Sequence, residues 1–386
     1  MNILYVVSRA IEINTSASIR NHATIMGLIQ NGHQVTLVSS MPDKKHSAYD
    51  DSLSIKEIDK QYYRLPGMQA MRCMGRNLKL LEKIKPYIYH LIFDKDIYDN
   101  LKSFVQYTDK IDISKYDLVI SSSDPKSSHL FVDKLFNNNK KNIPWIQIWG
   151  DPFAADITRT NKLVKKTLKE ENRLLSHADK VIYVSKLTLE MQKQKFSINK
   201  RKMFYLPIPY YKEKRSEKIF PSDFNNMKIC YCGDYSSRIR DIRPLYDAVD
   251  ELGLNMTICG MSDLNLKSKN RINILPRKSA EEVEQLESEA DVLVHLSNVT
   301  GTQVPGKIYQ YAATNKVILF ILDGDEKQIQ SVFEGYNRFL FVKNDKDCIK
   351  DVFKNIEELK RKVTNEPIIE FSATHITKRL LEGMAN

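Results

Sequence analysis

The first forty residues alternate between the pattern of a buried strand and that of an amphipathic helix. Residues 3–7 are an apolar run, a polar loop follows at 12–18, and apolar residues then recur at helical spacing over about 19–31. Gly32 and His33 end this helix, and residues 35–39 form a second strand pattern. Two strands joined by a helix pair in the same direction, so this segment commits the chain to a parallel sheet.

The alternation continues along the chain in two series. The first predicts strands at residues 118–121, 145–148 and 181–184, with helices at 127–136 and 161–176. The second predicts strands at 228–232, 256–259, 273–275, 292–296 and 317–321, with helices at 243–252, 280–289 and 305–314. Because 386 residues exceed the usual size of one hydrophobic core, we expect two doubly wound α/β domains.

A segment rich in proline and charge marks the predicted boundary between the domains. The first domain is expected to span residues 1–205 and the second 227–365, with a linker at 206–226 that contains Pro207, Pro209 and Pro221. Residues 366–386 predict a C-terminal helix, at about 371–384, that packs back on the first domain.

Residues 62–107 break the α/β pattern and predict a helical insertion in the first domain. Four of its cations recur at helical spacing, interleaved with apolar residues: Arg72, Arg76, Lys79 and Lys83. This pattern is typical of a helix whose lysines are simply solvated, and also of a basic amphipathic helix on an anionic membrane.

The net charge and the cysteine content indicate the kind of partner and the cellular compartment. The formal net charge of +11 indicates an anionic partner, which is nucleic acid, a membrane surface or a phosphorylated substrate. Five scattered cysteines argue against a disulfide framework, and no apolar run reaches the length of a transmembrane helix. Since the sequence starts with a strand pattern rather than a signal peptide, we expect a cytoplasmic protein, with or without contact to the inner face of the plasma membrane.

Residues 290–313 join a buried strand pattern, a polar loop and the start of a helix, which is a usual place to hold a phosphate. Pro305 suits the first turn of a helix, and Lys307 falls in that same turn. A cation there opposes the helix dipole unless an anion lies nearby. Lys307 is therefore either an anion-binding residue or a lysine that faces solvent.

Four segments together resemble the family 4 glycosyltransferases. They are residues 116–125 (YDLVISSSDP), 143–153 (IPWIQIWGDPF), 231–245 (YCGDYSSRIRDIRPL) and 304–311 (VPGKIYQY). Their order and spacing cover most of residues 1–345, apart from the insertion at 62–107. The resemblance implies the GT-B architecture, in which two Rossmann-like, doubly wound domains face a cleft.

The resemblance also implies transfer of a sugar from a nucleotide-diphosphate sugar with retention of configuration. Such a reaction needs cations around the leaving diphosphate, which predicts Arg240 and Lys307 as catalytic residues, with Arg238 an alternative to Arg240. Asp151 is the third predicted catalytic residue, because it follows a strand and would orient or deprotonate the acceptor hydroxyl. An ordinary Asp-Pro turn explains Asp151 equally well.

The predicted donor-binding residues lie in two segments after strands. They are Gly233, Arg238, Gly301, Thr302, Gln303, Val304 and Gln310. The sequence departs from the family pattern at Gln310, where a glutamate commonly binds the donor ribose, and at Thr302, where an earlier acid is expected. The predicted acceptor-binding residues, particularly for an acceptor with a phosphate, are Ser16, Ser18 and Arg20.

This interpretation needs no metal and no cofactor besides the nucleotide-sugar donor. The expected acceptor is a glycan or lipid-linked glycan of bacterial surface polysaccharide, such as lipopolysaccharide or capsule, and nucleic acid is not an expected partner. Two other functions stay open, namely epimerisation of a nucleotide sugar by a GT-B enzyme and a non-catalytic GT-B scaffold that binds a partner.

Overall fold

The computed structural model describes residues 1–65, 96–98, 100–139, 143–157, 163–217, 220–221 and 223–384. Most of the predicted insertion at 62–107, with its four regularly spaced cations, lies outside the described residues. The chain divides into two compact units. The first comprises residues 1–184, 188–206 and 381–386, and the second residues 185–187 and 207–380.

The first unit is built on a seven-stranded sheet in the order β3-β2-β1-β4-β5-β6-β7, and every neighbouring pair is parallel. Its strands are β1 (Asn2–Val6), β2 (Gln34–Ser40), β3 (Asp59–Tyr63), β4 (Leu118–Ser122), β5 (Trp145–Trp149), β6 (Lys180–Tyr183) and β7 (Met203–Tyr205). Both β4 and β5 are buried along their whole length, as expected for central strands covered by helices on both faces.

In the described residues, the α-helices of the first part of the chain are α1 (Ser16–Gln30), α2 (Ser127–Asn139), α3 (Val164–His177) and α4 (Lys186–Lys195). Helix α1 begins three residues before the predicted start because Thr15 is its N-cap, and the Thr15 hydroxyl accepts a hydrogen bond from the Ser18 backbone N–H. A 3₁₀-helix at Asn100–Lys110 contributes Phe104 to the core beside Phe131.

The second unit is built on a six-stranded parallel sheet in the order β10-β9-β8-β11-β12-β13. Its strands are β8 (Lys228–Cys232), β9 (Asn255–Cys259), β10 (Ile272–Leu275), β11 (Val292–Leu296), β12 (Val317–Leu322) and β13 (Leu340–Lys343). Its helices are α5 (Arg243–Leu252), α6 (Ala280–Glu289), α7 (Lys307–Tyr311), α8 (Glu326–Phe333), α9 (Lys346–Lys354), α10 (Ile356–Leu359) and α11 (Ala373–Leu381). Two doubly wound parallel sheets confirm the predicted fold class.

Helix α7 is shorter than the predicted helix at 305–314. Its N-cap is Gly306, so Pro305 precedes the helix instead of opening it, and the regular helix ends after one turn and a half at Tyr311. Lys307 is the first helical residue and so lies in the first turn, where the sequence places it. The predicted tail helix is likewise reduced to α11, and its packing against the first domain stays a prediction.

Candidate active site

In the second unit, Arg240 joins the two loops that follow β8 and β11. Its Nε donates to Asn298 Oδ1 at 3.0 Å, and its Nη1 donates to the backbone carbonyl of Asp234 at 3.0 Å. Asn298 in turn donates to the Gln303 carbonyl at 3.0 Å. The two predicted donor segments therefore meet at the carboxyl edge of the sheet, where doubly wound folds bind ligands.

The guanidinium of Arg240 is held by neutral groups. Among the described residues, none of the ion pairs includes Arg240, and the nearby His295 is uncharged at neutral pH because burial and the charge of Arg240 lower its pKa to about 3. The positive charge of Arg240 is thus fixed in position without a carboxylate to neutralise it. A group of this kind favours an anion at the edge of the sheet.

Arg238, the alternative to Arg240, is placed differently. Its side chain is exposed, and within the part of the chain that the structure describes it makes no hydrogen bond or ion pair. Of the two arginines, only Arg240 has a fixed orientation.

Two glycines bring the loops after β8 and β9 into direct contact. A Cβ atom added at Gly260 would lie 2.1 Å from the carbonyl oxygen of Gly233, so no side chain fits there. The next residue, Asp234, forms an ion pair with Arg277 at 2.7 Å and accepts a hydrogen bond from the backbone N–H of Met261 at 3.0 Å. The loop after β8 is therefore positioned by the loop after β9 as well as by Arg240.

Lys307 already has an anionic partner, which the sequence did not reveal. Its Nζ lies 2.5 Å from Oε1 of Glu287 on α6, and the side chain of Glu287 is only 9 % exposed. Burial alone would lower the pKa of Lys307, but the carboxylate of Glu287 raises it. Glu287 lies on the same face of its helix as Ala280 and Val283. An acid on this otherwise apolar face is the sequence signal that could have identified Glu287 as a buried partner for a cation.

The loop before α7 contains one side chain with unmet polar groups. The amide of Gln303 is buried, and neither its nitrogen nor its oxygen has a hydrogen-bond partner among the described residues. An unpaired buried amide costs about 1–3 kcal/mol, so this site favours a polar ligand. Gly301 is exposed with φ +88°, and the carbonyl of Thr302 accepts from the Ser185 hydroxyl at 2.6 Å.

The remaining predicted donor residues are less available. Gln310, at the position where the family has an acid, donates its amide to the Pro209 carbonyl at 3.2 Å. Val304 is half-buried in the same loop. The structure therefore links Arg240 to the backbone of Gln303 through Asn298, with Gly233 near the Arg240 guanidinium. It engages Gln310 and Lys307 with other groups of the second unit.

In the first unit, Asp151 follows β5 and lies beside a second acid, Asp124, which follows the neighbouring strand β4. The two side chains are hydrogen-bonded to each other, and Asp124 forms an ion pair with Lys126. Burial and then the charge of Asp124 raise the pKa of Asp151 to about 7, against the opposing effect of Lys126. A carboxyl group with this pKa is suited to accept a proton at neutral pH.

The three predicted acceptor residues are not equivalent. Arg20 is 4 % exposed and donates to the Ser122 hydroxyl at 3.4 Å, on the same edge as Asp124. The Ser18 hydroxyl donates to the Ile13 carbonyl at 2.6 Å and so stabilises the start of α1, whereas Ser16 is exposed at the first position of that helix. Only Arg20 lies near Asp151; an acceptor-binding role for all three stays a prediction.

Asp124 and Lys126 were not among the predicted site residues. The available signal was the Ser-Asp-Pro sequence directly after a buried strand, since the carboxyl ends of neighbouring parallel strands meet at one edge.

The described residues contain neither a metal-binding cluster nor a membrane-spanning helix. No group of three or more His, Cys, Asp or Glu side chains there could hold a metal ion. No helix in those residues is long and apolar enough to cross a membrane.

The two parallel sheets and their topology are those of the GT-B fold. Superposition on HepE from Anabaena, solved in complex with UDP-glucose, covers 99 % of this chain and 98 % of HepE, with a TM-score of 0.60 and 14 % identity. A glycosyltransferase from Rickettsia africae gives a TM-score of 0.61 with 15 % identity over 99 % of this chain and 97 % of its own.

A putative UDP-N-acetylglucosamine 2-epimerase from Listeria monocytogenes shares the fold as well. It gives a TM-score of 0.53 with 11 % identity over 98 % of this chain and 94 % of its own. No protein-family model matches the sequence, and no curated protein does. At these identities the likeness establishes the fold, and function has to be argued from the sites.

We expect Gly260→Ala to disturb the loop after β8, because the added methyl group would collide with the Gly233 carbonyl. The free energy of unfolding, measured by urea denaturation, should fall by about 1–3 kcal/mol. The matched control is Gly335→Ala, where an added Cβ meets nothing within 4 Å. Equal stability of the two variants would contradict the proposed close approach.

Proposed function

We propose that this protein is a retaining glycosyltransferase that moves a sugar from a nucleotide-diphosphate sugar to a glycan or lipid-linked acceptor. Its setting would be the synthesis of bacterial surface polysaccharide, at the cytoplasmic face of the membrane. The proposal is supported by the GT-B fold, by the likeness to HepE with bound UDP-glucose, and by the fixed, unneutralised charge of Arg240.

The proposal rests on the fixed orientation and the uncompensated charge of Arg240. Departure of a nucleoside diphosphate builds negative charge on the leaving oxygen, and a preorganised cation at that point lowers the barrier. Asn298 and the Asp234 carbonyl hold the guanidinium in place before any ligand binds, so orientation costs little when the diphosphate arrives. Such a site binds the diphosphate through the protein's own cation and needs no metal for that purpose.

The other predicted residues have supporting roles in this scheme. Gly233 lets the backbone approach the donor, and the unpaired amide of Gln303 offers both a donor and an acceptor to sugar hydroxyls or phosphates. In the first unit, Asp151 would orient or deprotonate the acceptor hydroxyl, which a pKa of about 7 permits.

Replacing Arg240 with Gln should abolish release of nucleoside diphosphate from the preferred donor, while Arg238→Gln should leave it largely unchanged. The two changes remove the same charge, but only Arg240 is oriented toward its neighbours by hydrogen bonds. Activity is measured against a panel of nucleotide sugars, and circular dichroism checks that both variants fold. A fully active Arg240→Gln enzyme, or an inactive Arg238→Gln enzyme, would contradict the assignment.

Lys307 requires a different test, because its pair with Glu287 gives it a structural role. Lys307→Met alone leaves the Glu287 carboxylate buried without a partner, and is expected to lower both stability and activity. The double variant Lys307→Met/Glu287→Leu removes both charges and should recover stability. If Lys307 contacts the diphosphate, activity stays low in the double variant; recovery of activity would assign Lys307 to structure alone.

Epimerisation of a nucleotide sugar is the second candidate, favoured by the shared fold of the Listeria epimerase. An epimerase converts its substrate without an acceptor, whereas a transferase needs one. We therefore expect proton NMR of UDP-N-acetylglucosamine incubated with the protein alone to show no change of configuration at C2. A second sugar signal that grows to an equilibrium ratio would support the epimerase instead.

A further inference from the structure

The carboxyl edge of the first sheet carries two acids with a buried cation beside them. Asp124 is 33 % exposed, whereas the side chain of Lys126, its ion-pair partner, is only 5 % exposed. The Asp124 and Asp151 side chains are hydrogen-bonded to each other. The cation is therefore held inside the protein, and the two carboxyl groups lie nearer to solvent.

Gly150, the residue immediately before Asp151, makes this arrangement sterically possible. A Cβ at Gly150 would lie 2.6 Å from Nη1 of Arg20 and 3.2 Å from Oδ2 of Asp124. Its backbone N–H donates to the Ser123 hydroxyl at 3.2 Å, which links the ends of β4 and β5. Arg20 and Asp124 thus reach the backbone directly beside Asp151, and a larger residue would exclude them.

The two acids experience opposite electrostatic environments. Burial alone would raise the pKa of Asp124, but Lys126 and then Arg20 hold it below its usual value. For Asp151, burial, the negative charge of Asp124 and that of Asp156 all raise the pKa, and Lys126 opposes them. Two carboxyl groups in contact cannot both ionise freely, so the cations decide which of the two keeps the proton.

Two further titratable groups, His129 and Glu171, are packed nearby. His129 is buried, and burial together with Lys126 keeps its pKa well below the usual value, so it is neutral. Glu171 accepts hydrogen bonds from the backbone N–H groups of Phe153 and Ala154, at 2.8 and 3.0 Å. These bonds hold the loop that follows Asp151.

We infer that Asp124, through its pair with Lys126, stays ionised, so that Asp151 alone of the two acids gains and loses the shared proton. The ionised form of Asp151 then accepts the proton of the acceptor hydroxyl. Asp124 and Lys126 are positioning residues in this scheme, because they act through Asp151. The role in acceptor chemistry rests on the proposed function, whereas the sharing of the proton is a property of the free protein.

The two tryptophans of the chain provide a direct probe. Trp145 and Trp149 both lie on β5, and Lys126 Nζ is 5.9 Å from the centre of the Trp149 ring. A change of charge on Asp151, two residues after Trp149, alters the field at that ring. Tryptophan fluorescence followed across the neutral pH range therefore monitors this edge without donor or acceptor.

In the unmodified protein we expect a fluorescence transition centred at about pH 7 that is absent in Asp151→Asn. Asp124→Asn removes the neighbouring negative charge, so the midpoint should move down by about one unit or more. Lys126→Met removes the cation that keeps Asp124 ionised, so the midpoint should move up, and Lys126→Arg should restore it. A purely structural role predicts no such opposite shifts.

If Lys126→Met fails to fold, Asp124→Asn alone tests the inference. An asparagine has nearly the same size as an aspartate, so this variant is expected to fold. An unchanged or raised midpoint in Asp124→Asn would overturn the inference, as would a transition that persists in Asp151→Asn. Loss of transfer activity bears only on the proposed function. The expected midpoints in a protein without transferase activity would leave the proton-sharing pair established and the glycosyltransferase assignment wrong.

Discussion

Parallel pairing of the strands is the constraint from which both candidate sites follow. In each sheet all strands point the same way, so loops that are far apart in the chain meet at one edge. In the second unit this brings Arg240, after β8, against Asn298, after β11. In the first unit it brings Asp124, after β4, beside Asp151, after β5.

The two cations predicted to bind the diphosphate differ in how their charge is compensated. Arg240 is oriented by an amide oxygen and a backbone carbonyl, which leaves its full charge for a ligand. Lys307 is bound by Glu287 inside its own unit. The two acids of the first unit differ in a similar way. Asp124 forms an ion pair with Lys126, whereas Asp151 carries the exchangeable proton. In both units, the group that forms no ion pair of its own in the described residues is the better candidate for chemistry.

Much of the fold could be predicted because its signals are local. Helices α5 and α6 have the predicted bounds, since Pro244 and Gly253 mark the ends of one, and a capping box of Ser279 and Glu282 opens the other. Three short strands, β3, β7 and β13, were missed. Each lies at an edge of its sheet, where a polar or short segment is stabilised by pairing rather than by its own apolar pattern.

The sites could be predicted only in part, for a physical reason. Motifs on single loops pointed to Arg240, Gln303 and Asp151, but the partners that set their charge lie elsewhere in the chain. Glu287 reaches Lys307 from a different helix, and Asp124 reaches Asp151 across two adjacent strands. Such partners depend on the register of the sheet, which residue patterns do not specify.

We propose that Arg240 binds the diphosphate of a nucleotide sugar, and a crystal structure of the protein in complex with UDP checks this contact. We expect the diphosphate at the carboxyl edge of β8 and β11, with a phosphate oxygen within about 3 Å of the Arg240 guanidinium. UDP bound elsewhere in the second unit, with Arg240 making no contact to it, would show that Arg240 does not have this role.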